Sequence, residues 1–368
     1  MSSSEPRVLQ FCHGYDGPFL DCARQYAVLF EGTPYKVTTV YLTGEPSEAV
    51  VQGSASDEVI FLGQSSRDVR GLKLSAIRAI RKIVAGRDFR FCIAHRFKPI
   101  YIALLGTSLP VIGVHHAFGD YQRFSRRVFA NFFRKRLALL GVSNAVRDDM
   151  RRCLPDWPAE RIETLYNRID IAAVQAGLKS REEAREALGL PQDAWVVGNV
   201  GRLHPDKDQA TLIRGFAEAL PQLPTGSLLA IMGSGRLEAS LKALAEQLGV
   251  TAQVCFLGQV PEGRRYFRAF DLFVLSSDHE PFGMVLLEAM AAEVPVVSSD
   301  NGGACEVVQG AGRLFRYPNS SMLSAVLIES AQSPSSAVAE RLEQEFSDSA
   351  AKRRFWALPL VSLRSEAG

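Results

Sequence analysis

Nowhere in the 368 residues do eighteen apolar residues run together, so the sequence contains no candidate transmembrane helix. The opening MSSSEPRVLQF lacks the basic segment and following apolar segment of a secretory leader. Cysteine is sparse: Cys12, Cys22, Cys92, Cys153, Cys255 and Cys305 stand singly, with no Cys-x2-Cys pair of the kind that holds zinc. They read as reduced thiols of a cytosolic protein. Glycine is also missing where a dinucleotide site would need it. Gly233-Ser234-Gly235 and Gly198-Asn199-Val200-Gly201 each lack the third glycine of the fingerprint, which argues against a nicotinamide dehydrogenase.

Net charge is only +2, but it is unevenly placed. Residues 1–170 hold 24 Lys and Arg against 17 Asp and Glu, and the remainder 18 against 23. Between residues 66 and 136 the ratio is 16 basic to 3 acidic, which points to an anionic partner for the first half. The stretch Phe124–Leu139 reads as a helix, with Arg123, Arg126, Arg127, Arg134, Lys135 and Arg136 set among Phe124, Phe129, Phe132 and Phe133. With no nucleic-acid fold motif present, this mixture favours an anionic membrane surface over RNA.

The length exceeds one ordinary core and predicts two domains. Short apolar runs alternate with helical patterns from RVLQFC (Arg7–Cys12) to Arg161–Leu165. The alternation pauses at a polar helix and linker over 171–194, then restarts at Trp195–Val200. An α/β architecture of two facing Rossmann-like domains follows, with ligands beyond the carboxyl ends of the strands in an interdomain cleft. The expected boundaries are 1–170 and 171–345, with 346–368 as a terminal helix. Gly14 and Gly17, after the first strand, let the backbone turn sharply or approach a ligand.

The second half is organised around LFVLSSDHEPFGMVLLEAMAAEVP, residues 272–295. Leu272–Leu275 reads as a buried strand, Ser276–His279 as a turn and Met284–Ala292 as a helix. A helix start facing a strand end presents free N–H groups to a phosphate, and Glu280 and Glu288 frame it. After the strand WVVGNV come Gly201, Arg202 and Lys207, a bidentate fork and a point charge suited to a diphosphate. The Asp206-Lys207-Asp208 run matches an Asp-x-Asp metal pattern, but the neighbouring cations already supply positive charge.

Gly201-Arg202-Leu203 with Lys207, Met232-Gly233-Ser234-Gly235, Phe256-Leu257-Gly258, Ser276…Glu280-Pro281-Phe282-Gly283…Glu288-Ala289-Met290-Ala291, Asn301-Gly302-Gly303 and Glu306 occur in that order. The series resembles the retaining glycosyltransferases of family 4, whose fold is GT-B. Val142–Val146 and Asn167–Asp170 fit the family more loosely. Phe346–Trp356 resembles its C-terminal helix, which returns to brace the first domain.

The resemblance implies that Arg202 and Lys207 grip the donor diphosphate and that Glu288 binds the ribose. Glu280, with the backbone of Pro281, Phe282 and Gly283, would hold the transferred sugar and its phosphate. Gly14, Gly17 and Gly233 join the donor-binding set. His115 resembles the family's sugar-facing histidine, with His116 beside it as the alternative. The implied activity is hexose transfer from a nucleotide diphosphate sugar, in particular a UDP-sugar, to a bacterial envelope glycan or glycolipid such as the lipopolysaccharide core. No metal or other cofactor is expected. The protein would lie in the cytoplasm, peripheral to the inner membrane, with its basic first domain on anionic lipid and no nucleic-acid partner. An epimerase or phosphorylase on the same fold, or a non-catalytic sugar-nucleotide-binding scaffold, are the alternatives.

Overall fold

The computed structural model describes residues 5–65, 67–333 and 337–359. It divides into two units, one running to Asn167 and resuming at Asp348, the other Arg168–Ser347. These divisions differ by a few residues from the expected 170/171 and 345/346.

The first unit holds seven strands: β1 Arg7–Cys12, β2 Lys36–Tyr41, β3 Glu58–Phe61, β4 Phe89–His95, β5 Val111–His115, β6 Leu137–Gly141 and β7 Ile162–Thr164. Their order is β3-β2-β1-β4-β5-β6-β7, and every pairing is parallel. The second unit holds β8 Val196–Val200, β9 Leu228–Met232, β10 Val254–Gly258, β11 Leu272–Leu275, β12 Val296–Ser299 and β13 Arg313–Phe315. Its order is β10-β9-β8-β11-β12-β13, again all parallel. In each sheet the strand order reverses once, between β1 and β4 and between β8 and β11. The crevice for a ligand opens beyond the carboxyl ends of strands at such a point.

The strands form where the sequence is continuously apolar because helices cover both faces. All four side chains of β11 are essentially inaccessible, and each such burial contributes about 1.5–3 kcal/mol. Close helix packing is permitted by Gly113, where an added Cβ would stand 2.5 Å from Ile100.

Three elements differ from the expectations. The Phe124 helix stops at Phe132 rather than running to Leu139. Arg136 turns inward and donates to the carbonyls of Thr107 (2.6 Å) and Leu109 (3.1 Å), which pins the start of β6. The 171–194 stretch forms two helices, Ile171–Gly177 and Arg181–Leu188; Ser180 and Glu183 make a reciprocal capping box on the second, and Gly189 ends it in the left-handed region. The helix Phe97–Gly106, unassigned from sequence, follows β4.

The terminal helix Asp348–Ala357 belongs to the first unit. Asp348 pairs with Arg24 at 3.0 Å, and Trp356 Nε1 donates to the Leu29 carbonyl at 3.0 Å. Phe355 and Trp356 meet the Phe30 ring edge-on, at 5.6 and 5.7 Å. Residues 360–368 of the expected helix lie outside the described residues.

Candidate active site

In the second unit, four loops at the carboxyl ends of β8, β9, β11 and β12 are laced together by backbone bonds. Gly201 N–H donates to Met232 O (3.0 Å) and Leu203 N–H to Ser234 O (3.0 Å), joining the loops after β8 and β9. Gly233 sits at φ +144° where a Cβ would fall 1.9 Å from the Gly201 carbonyl, so only glycine fits.

Lys207 ends a tight turn, Pro205–Lys207. Its carbonyl accepts from Ser276 Oγ (3.0 Å), and Asp278 N–H donates to Asp206 O (3.0 Å), so the loop after β8 is fastened to the loop after β11. Across that seam Lys207 Nζ meets Glu280 Oε2 at 2.5 Å, with side-chain exposures of 20% and 12%. Ser277 Oγ donates to the same carboxylate oxygen at 3.3 Å. The Glu280 carbonyl accepts from Gly303 N–H at 2.8 Å, and a Cβ on Gly302 would lie 2.4 Å from it.

The helix Met284–Ala291 starts from Gly283 at φ +95°, and its start carries no side-chain cap. Phe282 is buried edge-on against Phe346, which anchors the loop and holds the helix start at the strand ends. Glu288, in the second turn, is half-buried.

The two carboxylates of Asp206-Lys207-Asp208 do different things. Asp208 caps the helix Gln209–Ala219 through Thr211 N–H (3.2 Å) and Thr211 Oγ1 (2.6 Å). Asp206 bonds His204 and lies 3.6 Å from Arg202. Burial alone would raise the Asp206 carboxyl, but the His204 bond and the nearby cations hold it below its ordinary range. Arg202 is 73% exposed, and the partner of its guanidinium is Asp206.

The remaining expected site residues, Gly14, Gly17 and His115, lie in the first unit. Gly14 packs on Thr43, whose Oγ1 would meet an added Cβ at 2.9 Å, and Gly17 takes φ +59° in an open turn. His115 is wholly buried. Its Nδ1 meets Asp120 at 2.7 Å and its Nε2 meets the Tyr121 hydroxyl at 3.1 Å, so both ring nitrogens are engaged inside the fold. His116 takes the opposite direction and lines a cavity of about 230 Å3 together with His13, Arg96, Lys98, Asp120 and Arg126.

Within that cavity wall, His116 Nε2 lies 3.2 Å from His95 Nδ1 with the rings stacked. Burial, then the His115 and Arg96 charges, lowers His116 to about 3, while burial, Lys98 and Arg96 lower His13 to about 4. Both imidazoles are therefore neutral near pH 7. Sequence reasoning did not single out Arg96, Lys98 or His13. Their signal was a strand end followed by cations at a helix start.

Residues 32–173 match the model described as Glycosyltransferase Family 4, and residues 180–352 the model described as Glycosyl transferases group 1. The chain belongs to glycosyltransferase family 4. The uncharacterized glycosyltransferase MJ1607 of Methanocaldococcus jannaschii is 35% identical over 175 residues, covering 46% of this chain and 44% of that protein. The lipopolysaccharide core biosynthesis glycosyltransferase LpsE of Rhizobium meliloti is 42% identical over 119 residues, 32% of this chain and 34% of LpsE. The matches thus span less than half the length of these curated relatives. Over nearly the whole length of both chains, Anabaena HepE in complex with UDP and glucose shares the fold: TM-score 0.75, 20% identity, 97% of this chain and 99% of HepE. The family 4 architecture, GT-B with two Rossmann-like domains, is the one the two sheets form.

Proposed function

We propose that this family 4 chain transfers a hexose from a UDP-sugar, with retention of configuration, to a bacterial envelope glycan such as the lipopolysaccharide core. The observation that carries the reading is the Lys207–Glu280 pair set beside the uncapped helix start at Gly283. Breaking the bond between an anomeric carbon and a diphosphate leaves negative charge on the departing phosphate. Lys207, Arg202 and the N–H groups of the first helical turn stabilise charge at that point. Glu280 is then free to accept hydrogen bonds from the sugar hydroxyls, and Glu288 from the ribose. HepE's complex with UDP and glucose supports the choice of donor, and LpsE supports the choice of acceptor.

On this reading no metal takes part, because protein cations supply the charge. The sugar-facing histidine is His116, acting as a neutral hydrogen-bonding group, and His115 positions Asp120. Retention is the family's stereochemistry. The first unit carries the acceptor and rests on the cytoplasmic face of the inner membrane. Phe124, Val128 and Phe132, spaced four apart on one helix, are 73%, 51% and 81% exposed, with Arg123 and Arg127 alongside. Among the described residues no helix is long and apolar enough to cross a membrane; this stripe would instead dip into the interface.

The test is to incubate the chain with UDP-, GDP- and ADP-sugars and lipopolysaccharide core fragments, with and without EDTA. Free UDP with an α-configured product from an α-configured donor, undiminished by EDTA, is the expected result. Sugar phosphate or epimerised donor as product would mark a phosphorylase or epimerase, and UDP binding without turnover a scaffold.

A further inference from the structure

The cavity in the first unit has a charge arrangement that the transfer chemistry above does not use. Arg96 and Lys98 flank the start of the helix Phe97–Gly106, and among the described residues neither makes an ion pair. The Arg96 guanidinium rests over the Phe19 ring at 4.8 Å. Arg126, by contrast, is paired with Asp120 and lies over Phe97 at 4.5 Å. The single acidic group in the wall, Asp120, is thus already occupied by Arg126 and His115, and two cations remain uncompensated.

Three further features converge on the same hollow. Arg96 holds φ +72°, a conformation that favours glycine, so an arginine there is kept against backbone strain. The start of its helix has no side-chain cap, and the first N–H groups of a helix carry partial positive charge. His13 Nδ1 is buried and has no hydrogen-bond partner among the described residues, a polar atom that a ligand in the hollow can satisfy.

We propose that this cavity binds a phosphate monoester carried by the acceptor, held by Arg96 and Lys98 with His13 and the Phe97–Gly106 helix start. Two free cations match a dianion, whereas a carboxylate would leave one of them unanswered. The second unit has its own diphosphate apparatus at Lys207, so the anion in the first unit belongs to the other substrate. The inference rests on the transferase reading and adds the acceptor's chemical class to it.

Inorganic phosphate is the probe, titrated into the full chain with labelled histidines, at constant ionic strength and with UDP saturating. With six histidines in the chain, the ring signals are separable. The His13 resonance should shift saturably, and its titration should move up from about 4, because a nearby phosphate anion opposes the lowering by Lys98 and Arg96 and reinforces Asp16. Arg96→Gln and Lys98→Gln should each weaken phosphate about tenfold or more and leave UDP affinity unchanged. Lys98→Gln, whose side chain makes no bond within the described fold, guards against misfolding of the strained Arg96 position. A shift that never saturates, or equal affinity in both variants, overturns the site. Loss of phosphate binding when UDP is present would assign the cavity to the donor and overturn the acceptor claim. If phosphate binds as described but no nucleotide sugar is turned over, the transferase reading fails and the anion site stands. If acceptors with and without phosphate show the same KM, the acceptor claim fails and transfer stands.

Discussion

Replacing Glu280 by Gln separates what the Lys207–Glu280 pair does for the fold from what it does for ligands. In the free protein the two charges satisfy each other at 2.5 Å, with 20% and 12% of the side chains exposed. Removing one partner of a fully buried pair costs about 3–5 kcal/mol; the residual exposure here reduces that to about 1–3 kcal/mol. The second unit should melt about 2–4 °C lower for each kcal/mol lost. Ligand binding should respond differently for two probes. A carboxylate and a phosphate about 4 Å apart repel by about 4 kcal/mol gross at an effective dielectric near 20, and most of that is screened. UDP should therefore bind Glu280→Gln roughly tenfold more tightly, a gain of about 1.4 kcal/mol. UDP-glucose should lose that gain, since the amide is a weaker acceptor for sugar hydroxyls than a carboxylate. Lys207→Ala should weaken both by about ten- to a hundredfold, the range for a hydrogen bond to a charged group. Calorimetry with UDP and UDP-glucose, beside thermal melts, reads all of these. Parallel changes for the two ligands in Glu280→Gln would refute the sugar-holding role, and unchanged UDP affinity in Lys207→Ala would refute the diphosphate role.

Gly233→Ala should destabilise the second unit by about 1–3 kcal/mol and abolish UDP binding, because the methyl group would fall 1.9 Å from the Gly201 carbonyl; a normal melt and normal affinity would show that the loop can open. His13 and His116 are depressed to about 4 and about 3, below their unfolded value near 6.5. The unfolded chain then takes up protons first, so stability is fully present above about pH 6.5 and declines as pH falls toward 4. His13→Asn should flatten that decline in thermal melts between pH 7 and 4.5, and an identical slope would acquit His13. The double change Phe124→Ser and Phe132→Ser should release the chain from anionic vesicles by well over tenfold, each exposed ring contributing about 1.5–3 kcal/mol if buried in lipid. Wild-type attachment should also weaken with added salt, and co-sedimentation unchanged by either treatment would count against the helix as the docking element.

Most strands were legible because parallel strands are buried on both faces, which leaves short unbroken apolar runs such as LLAIM and LFVL. The loops at the carboxyl ends of β8, β9 and β11 were legible for a different reason. Lys207, Gly233, Glu280 and Gly283 lie within a few residues of a strand end, so local spacing carries the geometry. What escaped depended on tertiary context. The helix Phe97–Gly106 is buried nearly all round and has no polar face to give it a period. Arg136 sits in a basic run that reads as helix surface, yet it points inward to carbonyls. The choice between His115 and His116 is invisible in sequence because adjacent residues at a strand end face opposite ways; only the fold shows which one lines the cavity. Arg96 and Lys98 gain their meaning from His13 and Asp120, residues far from them along the chain.

The helix Asp348–Ala357 completes the first unit with residues made after the whole of the second. Until Phe355 and Trp356 leave the ribosome, the Phe30 ring and the Leu29 carbonyl lack their native partners. The amino-terminal half is therefore an unfinished body throughout synthesis of the carboxyl-terminal half, whose sheet closes on its own sequence. Truncation just before Asp348 should thus damage the part of the protein made first and spare the part made last, an inversion of the usual order in which nascent domains become self-sufficient.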